Sequence, residues 1–573
     1  MSLVIGLSGG YSQAQSDSIL HYVNQTTSIY ANDNWKVSPR LSLQLGFRYD
    51  ALPHAWERKN DLANFVPSDY IQSAPIWNAD NSINPASVGV QTPTGFSSQY
   101  YLNGMVFPGH NGIPVGLVTN DYNTFQPRLG FSYDLTGAGK TVLRGGFGTF
   151  YERLQGNDIY GLANGNLPYE YTPGVSNVYY DQPHCSWAST ASTANPANCI
   201  NVNNLPVLPA GITALDPTYK APATAQYSLG VQHELKPSLI WVVQYVGNLA
   251  WHQNVDVPIN NYPTNTPNAI RQATVGYEGE SLSNPGLSNA YRTYAGFTGI
   301  TQEQNTTNGT YNGFQTALRV QNRWGLSGEL DYTYSHVIDL TDGDLATLSN
   351  PWYFKYDKAS GSYDRRHILS TNYIYKLPIF NKSQGLLHSI VGGWTLAGTF
   401  IAETGTPISP GFGGENDPIG LDGGYTNRPN VVSKIQYHLH NTGSAVNYFN
   451  TTTSDFSDCP EVFDSKGGVV YAGGTAPLCA PVPGWLGGPN LGFGDGGRDA
   501  IVGPHRINFT TSLYKSFAIT ERAHFEFRAE TFNTFNHTEW NNSVGASVNG
   551  GNYGNITGTY DPRVMELATK FVF

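Results

Sequence analysis

Asp339, Asp342 and Asp344 crowd together, with Gly343 between the last two, and they are the nearest approach in this sequence to a cation-binding loop. Calcium takes six to eight oxygen ligands at close quarters, and this run lacks the later Glu and the full spacing of an EF-hand loop. An ordinary polar loop is therefore the expectation. Gly139-Lys140-Thr141 ends like a phosphate loop, but Asp134 stands where such a loop needs its first glycine. The histidines are scattered, with no H-E-x-x-H pair to hold zinc. The cysteines fall into two local pairs, Cys185 with Cys199 and Cys459 with Cys479, in stretches rich in Gly, Pro and Asn. CxxC spacing is absent, so the chemistry expected of them is a disulfide staple within each loop in an oxidising compartment. No catalytic site, bound metal or cofactor is expected, and the chain does not read as an enzyme.

The remaining chemistry lies in charges at alternate positions of apolar segments. Arg48, Asp50, Arg128, Asp134, Arg144, Glu234, Arg319, Glu329, Asp331, Glu526, Arg528, Glu530 and Lys570 recur in this way. Both signs are mixed, which selects neither an anionic nor a cationic solute. The elements that must carry them are β-strands, because successive strand residues point to opposite faces. Leu41, Leu43, Leu45, Phe47 and Tyr49 point one way, while Ser42, Gln44, Gly46, Arg48 and Asp50 point the other. Leu129, Phe131, Tyr133 and Leu135 repeat the pattern against Arg128, Gly130, Ser132 and Asp134, as do Leu330, Tyr332 and Tyr334 against Glu329, Asp331 and Thr333. The apolar face suits lipid; the charged face suits a water-filled lumen.

This periodicity predicts strands over residues 3–8, 19–36, 41–51, 125–135, 141–151, 225–235, 239–250, 311–323, 326–335, 367–377, 392–402, 507–517, 522–533 and 564–573. Short turns join them in pairs, at 37–40, 136–140, 236–238, 323–325 and 520–521, and only 378–391 blurs the pattern. Between the pairs lie long segments, 52–124, 152–224, 251–310, 336–366, 403–506 and 534–563. Short turns alternating with long loops are what outer-membrane barrels show, with periplasmic turns and external loops. The expected fold class is thus all-β, an antiparallel transmembrane barrel in the bacterial outer membrane, with about 14 strands visible over residues 1–573. Gly-rich runs such as 411–414 and 484–497 read as flexible external loops.

Composition agrees. Charged residues are 13% of the chain, about half the share of a typical soluble protein. No run approaches the roughly 18 apolar residues of a spanning helix. The net charge of -11, with no basic patch, argues against nucleic acid as a partner. Trp35, Tyr49, Tyr133, Tyr151, Trp241, Tyr334, Tyr375 and Trp394 lie at or near strand ends, where aromatic girdles meet membrane interfaces. The chain closes on an amphipathic strand ending in Phe571 and Phe573, which resembles the signal read by the barrel assembly machinery. Its first residues lack a basic n-region and a small-residue cleavage site, so the chain is expected to be a piece of a longer exported protein.

Several segments in order resemble the TonB-dependent transporters of the Oar-like type. Tyr30-Ala31-Asn32-Asp33-Asn34-Trp35-Lys36-Val37-Ser38-Pro39-Arg40-Leu41 resembles that family's hairpin, and Leu45-Gly46-Phe47-Arg48-Tyr49-Asp50 continues it. Phe125-Gln126-Pro127-Arg128-Leu129-Gly130-Phe131 and Arg144-Gly145-Gly146-Phe147-Gly148-Thr149-Phe150-Tyr151 resemble its next strands. Tyr363-Asp364-Arg365-Arg366-His367, Phe532-Asn533-Thr534-Phe535-Asn536-His537 and Asp561-Pro562-Arg563 match later landmarks. The resemblance implies a plugged barrel of about 22 strands, energised by the TonB complex for uptake of a scarce or bulky solute. The further strands, the plug and the TonB-contacting segment are expected upstream of this chain. In such a barrel the inward charges would contact plug or solute. A passive porin and a surface adhesion barrel are the competing readings.

Overall fold

The computed structural model describes residues 7–13, 19–78, 83–84, 87, 101–153, 166–169, 172, 174–180, 182–186, 210–266, 289–343, 346–380, 385–412, 428–431, 433–443, 445–450, 462–463, 469–471, 478–479, 493–520, 522–548 and 551–573. Alternating apolar and polar residues, rich in Tyr, Phe, Val and Thr, form one dominant sheet. Its strands are β1 (Thr27–Lys36), β2 (Leu41–Ala51), β3 (Phe125–Asp134), β4 (Thr141–Tyr151), β5 (Ala223–Lys236), β6 (Leu239–Pro258) and β7 (Phe297–Arg323). They continue as β8 (Leu326–Asp339), β9 (His367–Lys376), β10 (Thr395–Glu403), β11 (Arg506–Ala518), β12 (His524–Phe532) and β13 (Val564–Val572). These strands are hydrogen-bonded side by side in chain order, each antiparallel to the next.

One predicted strand is corrected. Of the segment foreseen at 3–8 only Leu7 and Ser8 lie within the described residues, and they fall outside this wall: Leu7–Ser12 pairs with Gly174–Tyr179 in a separate small sheet. The segment foreseen at 19–36 splits into Tyr22–Val23, which pairs with Trp56–Glu57, and β1. Among the described residues no ladder joins β1 to β13. Every residue of β1 is exposed, as are most of β13.

The meander puts every long connection at one end of the sheet and the short turns at the other. In the turn after β3, Asp134 accepts the backbone N–H groups of Thr136, Gly137 and Gly139. Gly137 and Gly139 take φ of 75° and 69° there, a conformation that costs glycine nothing. The blurred stretch between β9 and β10 holds a short helix, α1 (Leu386–Val391). Lys515 of β11 donates to the carbonyls of Ser389 and Gly392 at its C-terminal end, where unpaired carbonyls concentrate negative charge.

At the long-loop end the chain packs a cap of its own. β6 and β7 run on as a hairpin, and Ala210–Leu215 adds a parallel strand to it. Phe65, Tyr101, Leu102, Met105, Phe297 and Ile300 form the nearly sealed centre of one cluster, and Leu52, Leu62, Val66, Leu117 and Leu215 form a second. A third, around Phe449, Ile501 and Val548, lies over the β10–β13 side. Buried asparagines satisfy the irregular backbone between them. Asn166 donates to Ala63 and Thr213 carbonyls at 2.8 and 2.7 Å, and Asn64 exchanges two hydrogen bonds with Leu215. The described part of the Gly-rich run at 411 is also ordered by pairing, with Gly411–Phe412 beside Ser547–Val548.

Candidate functional site

Residues directly opposite in an antiparallel ladder share a face, so the register alone sorts the side chains. One row runs Tyr49, Phe125; Leu43, Phe131, Gly145, Leu229, Tyr245, Phe314, Tyr334. It continues from His367 and Leu369 through Phe400, Phe509, Leu513 and Phe525 to Phe571. The opposite face carries Arg48, Asp50, Arg128, Asp134, Arg144, Glu234, Arg319, Glu329, Asp331, Glu526, Arg528, Glu530 and Lys570. All the charges selected from the sequence are therefore brought to one face.

They do not form one cluster. Arg48 pairs with Asp50 at 2.8 Å, and the buried Asp50 also accepts from Gln126. Arg319 meets Glu329, directly opposite, at 2.7 Å, with Asp331 two residues farther along the same face. Arg528 lies 3.6 Å from Glu530, which also accepts from Ser512. Glu526 stands opposite Lys570 and 3.2 Å from His524. Asp134 is taken by its own turn and serves as a backbone acceptor. Arg128 lies over the Phe150 ring at 4.8 Å, and Arg144 stands opposite Ser132 and Gly230. A hollow of about 990 Å³ opens on this face over β2–β6, lined by Gln44, Arg128, Arg144, Gln226, Gln244 and Asn248 among others.

The Tyr and Trp side chains singled out from the sequence fall toward both strand ends on the apolar face, while Tyr245 and Phe314 sit between them. Trp35, Tyr133, Trp241 and Tyr375 lie toward the short turns; Tyr49, Tyr151 and Tyr334 lie toward the long loops. Tyr133 pairs with Leu41, eight residues below Tyr49, a span of about 26 Å along the strand. That matches an apolar band flanked by aromatic girdles.

The family model of the outer membrane beta barrel domain matches residues 1–566. The chain belongs to that family. It is thus a bacterial outer-membrane protein. No curated protein matches it in sequence. Among solved structures it is similar to the outer membrane transporter YddB from Escherichia coli, with 10% identity, a TM-score of 0.42, and coverage of 96% of this chain and 54% of that one. The siderophore receptor PiuA from Acinetobacter baumannii is similar at 9% identity and TM-score 0.40, over 96% of this chain and 44% of that one. The ferripyoverdine receptor of the outer membrane of Pseudomonas aeruginosa is similar at 10% identity and TM-score 0.39, over 97% and 40%. The chain spans about half or less of the length of these structures.

At the long-loop end of this outer-membrane barrel chain lies a second polar centre that sequence reasoning missed. Arg498, from the segment between β10 and β11, inserts among Asp339, Asp342 and Asp499 and donates to the Asp357 carbonyl at 2.9 Å. The guanidinium occupies the ground considered for a cation, and Asp344 lies outside the described residues. Among the described residues no cluster of three or more His, Cys, Asp or Glu could hold a metal. Burial pushes the Asp499 carboxyl up to about 6, with Asp342 adding repulsion. Burial also opposes ionisation of Asp342, yet hydrogen bonds from Arg498 and the Ser362 N–H outweigh it and hold that carboxyl low. Nearby, Arg428 lies 3.6 Å from Asp357 and 3.5 Å over the Tyr356 ring. Together they tie the 404–505 connection to the end of β8.

The two cysteine pairings cannot be placed, because Cys199 and Cys459 lie outside the described residues. Phe571 and Phe573 stack at 6.0 Å and are exposed on the apolar side of β13.

Proposed function

We propose that this chain is wall and cap of a TonB-dependent transporter of the Oar-like type, which takes up a scarce or bulky solute across the outer membrane. The observation that carries the reading is the unbroken antiparallel meander with one aromatic face and one charged face, joined to the ordered series of Oar-like segments from Tyr30 to Arg563. In this reading the apolar face meets lipid, and the charged face lines the lumen and meets plug or solute. The long connections are external loops, with Cys185–Cys199 and Cys459–Cys479 stapling two of them. The last strand, with Phe571 and Phe573, is read by the barrel assembly machinery. The plug, the TonB-contacting segment and further strands belong to parts of the native protein outside this chain. A closed passive porin would require pairing between β1 and β13, and among the described residues there is none.

Intact mass and peptide mapping of the native protein extracted from outer membranes test this. A mass well above 62.5 kDa, with plug peptides ahead of Met1, is expected. A mass near 62.5 kDa without plug peptides sinks the transporter reading and favours the porin.

A further inference from the structure

We propose that the hollow over β2–β6 is a binding subsite for an elongated organic anion with acidic groups at both ends. The inference rests on the reading of the charged face as the solute-facing wall, and it names the substrate class that wall takes. Its volume, about 990 Å³, lies at the upper end of the range of pockets that hold small molecules. The charged residues lining it are Arg128 and Arg144, and no carboxylate lines it.

The contrast with the rest of the face is what gives this weight. Arg48, Arg319, Arg506 and Arg528 each have a carboxylate within 4 Å. Arg128 and Arg144 have none among the described residues. A strand arginine left without a counter-ion where its neighbours are neutralised leaves a local positive field.

The hollow is also built by steric choices. A Cβ on Gly46 would come 3.2 Å from Arg128 Cβ, and one on Gly148 would press within 3.2 Å of the Phe150 ring. Glycine at both positions lets the Arg128 stem lie flat and its guanidinium stack on Phe150. Gly130 and Gly146 face each other across the ladder; the floor is open at Gly146, while the Gln44 side chain lies over Gly130. Gln44 and Gln226 offer amide N–H donors in the lining. Arg128 lies four residues from Ser132, the partner of Arg144, so the two guanidinium roots stand about 13 Å apart along the strands. A single compact anion meets one of them; a chain with terminal carboxylates meets both.

The test uses the native protein in detergent, with a single cysteine introduced by Gln226→Cys. Labelling by a water-soluble maleimide is read on that peptide by mass spectrometry, with sebacate as probe and 1,10-diaminodecane as the length-matched dication. Labelling should proceed, slow at least about fivefold with sebacate, and be indifferent to the diamine. Adding Arg144→Gln or Arg128→Gln should shift half-protection to about tenfold higher sebacate, the effect of one charge-assisted hydrogen bond, whereas Arg319→Gln should not. Because Arg128 also packs on Phe150, Arg144→Gln is the deciding variant if Arg128→Gln fails to assemble. No labelling of Gln226→Cys overturns the solute-facing reading, and the anion proposal with it. Labelling that sebacate does not slow, or slows equally in Arg144→Gln, overturns the anion proposal alone.

Discussion

A guanidinium buried among carboxylates is costly to isolate, since removing it leaves several uncompensated charges. Arg498 holds Asp339, Asp342 and Asp499 together with about a tenth of its side chain exposed. Arg498→Ala is expected to destabilise the docking of the 404–505 connection by about 3–5 kcal/mol. The check is limited proteolysis of outer membranes, with cleavage within that connection accelerating in the variant; unchanged cleavage refutes the clamp. His54, in the cap, works through pH. Its ring is buried, Nδ1 bonds the Ala55 carbonyl at 3.0 Å, and burial holds its pKa down at about 4. The unfolded imidazole titrates near 6.5, so between the two values the unfolded state carries the extra proton. Stability from neutral His54 is therefore complete above about pH 6.5 and is lost as pH falls toward 4, by up to about 3 kcal/mol. Hydrogen exchange of the 52–124 connection should rise across that window and flatten in His54→Gln; a flat wild-type profile contradicts the burial. Neither residue announces itself in the sequence. Arg498 meets its partners 156 and 159 positions away, and the parity that assigns Asp134 to the charged face says nothing of the turn that claims it.

At the scale of the strand, alternation is legible because each side chain must satisfy one of two different environments. Substitutions to Arg separate them. Leu43→Arg, Phe47→Arg, Phe131→Arg and Tyr332→Arg fall on the aromatic face and should impair assembly by up to about 2–4 kcal/mol near the midplane. Gln44→Arg and Ser132→Arg fall on the charged face and should leave the folded yield in outer membranes unchanged. Equal loss at both sets would overturn the face assignment. The strand ends were less legible. β6 and β7 overrun their predicted limits to Pro258 and Phe297, because at the long-loop end they serve the cap. There both sides of the hairpin are buried, as the adjacent pairs Val257 with Pro258 and Gln302 with Glu303 show. The cap's own segments read as loops, since Phe65, Tyr101 and Ile212 come from stretches with no common period and meet only in the tertiary structure. Lys515 breaks the pattern on the aromatic face, and the C-terminal carbonyls of α1 explain it.

At the scale of the molecule the edges of the sheet decide. In lipid every backbone N–H and C=O must find a partner within protein, so spanning sheets close. β1 and β13 each have one ladder and one open side among the described residues. The apolar face of β1 also carries Asp33, opposite Leu45, an awkward neighbour for lipid unless another strand or an interface shelters it. If further strands of the native protein cover both edges, this chain expressed alone with an export signal should fail to assemble. It should migrate as an unfolded species on gel electrophoresis with and without boiling, and form no conducting pore in planar bilayers. The native protein from the same membranes should show the heat-dependent mobility shift of a closed barrel. A heat-shifted, conducting barrel from these 573 residues alone would mean that β1 and β13 find each other, and would move the balance from an energised transporter to a passive pore.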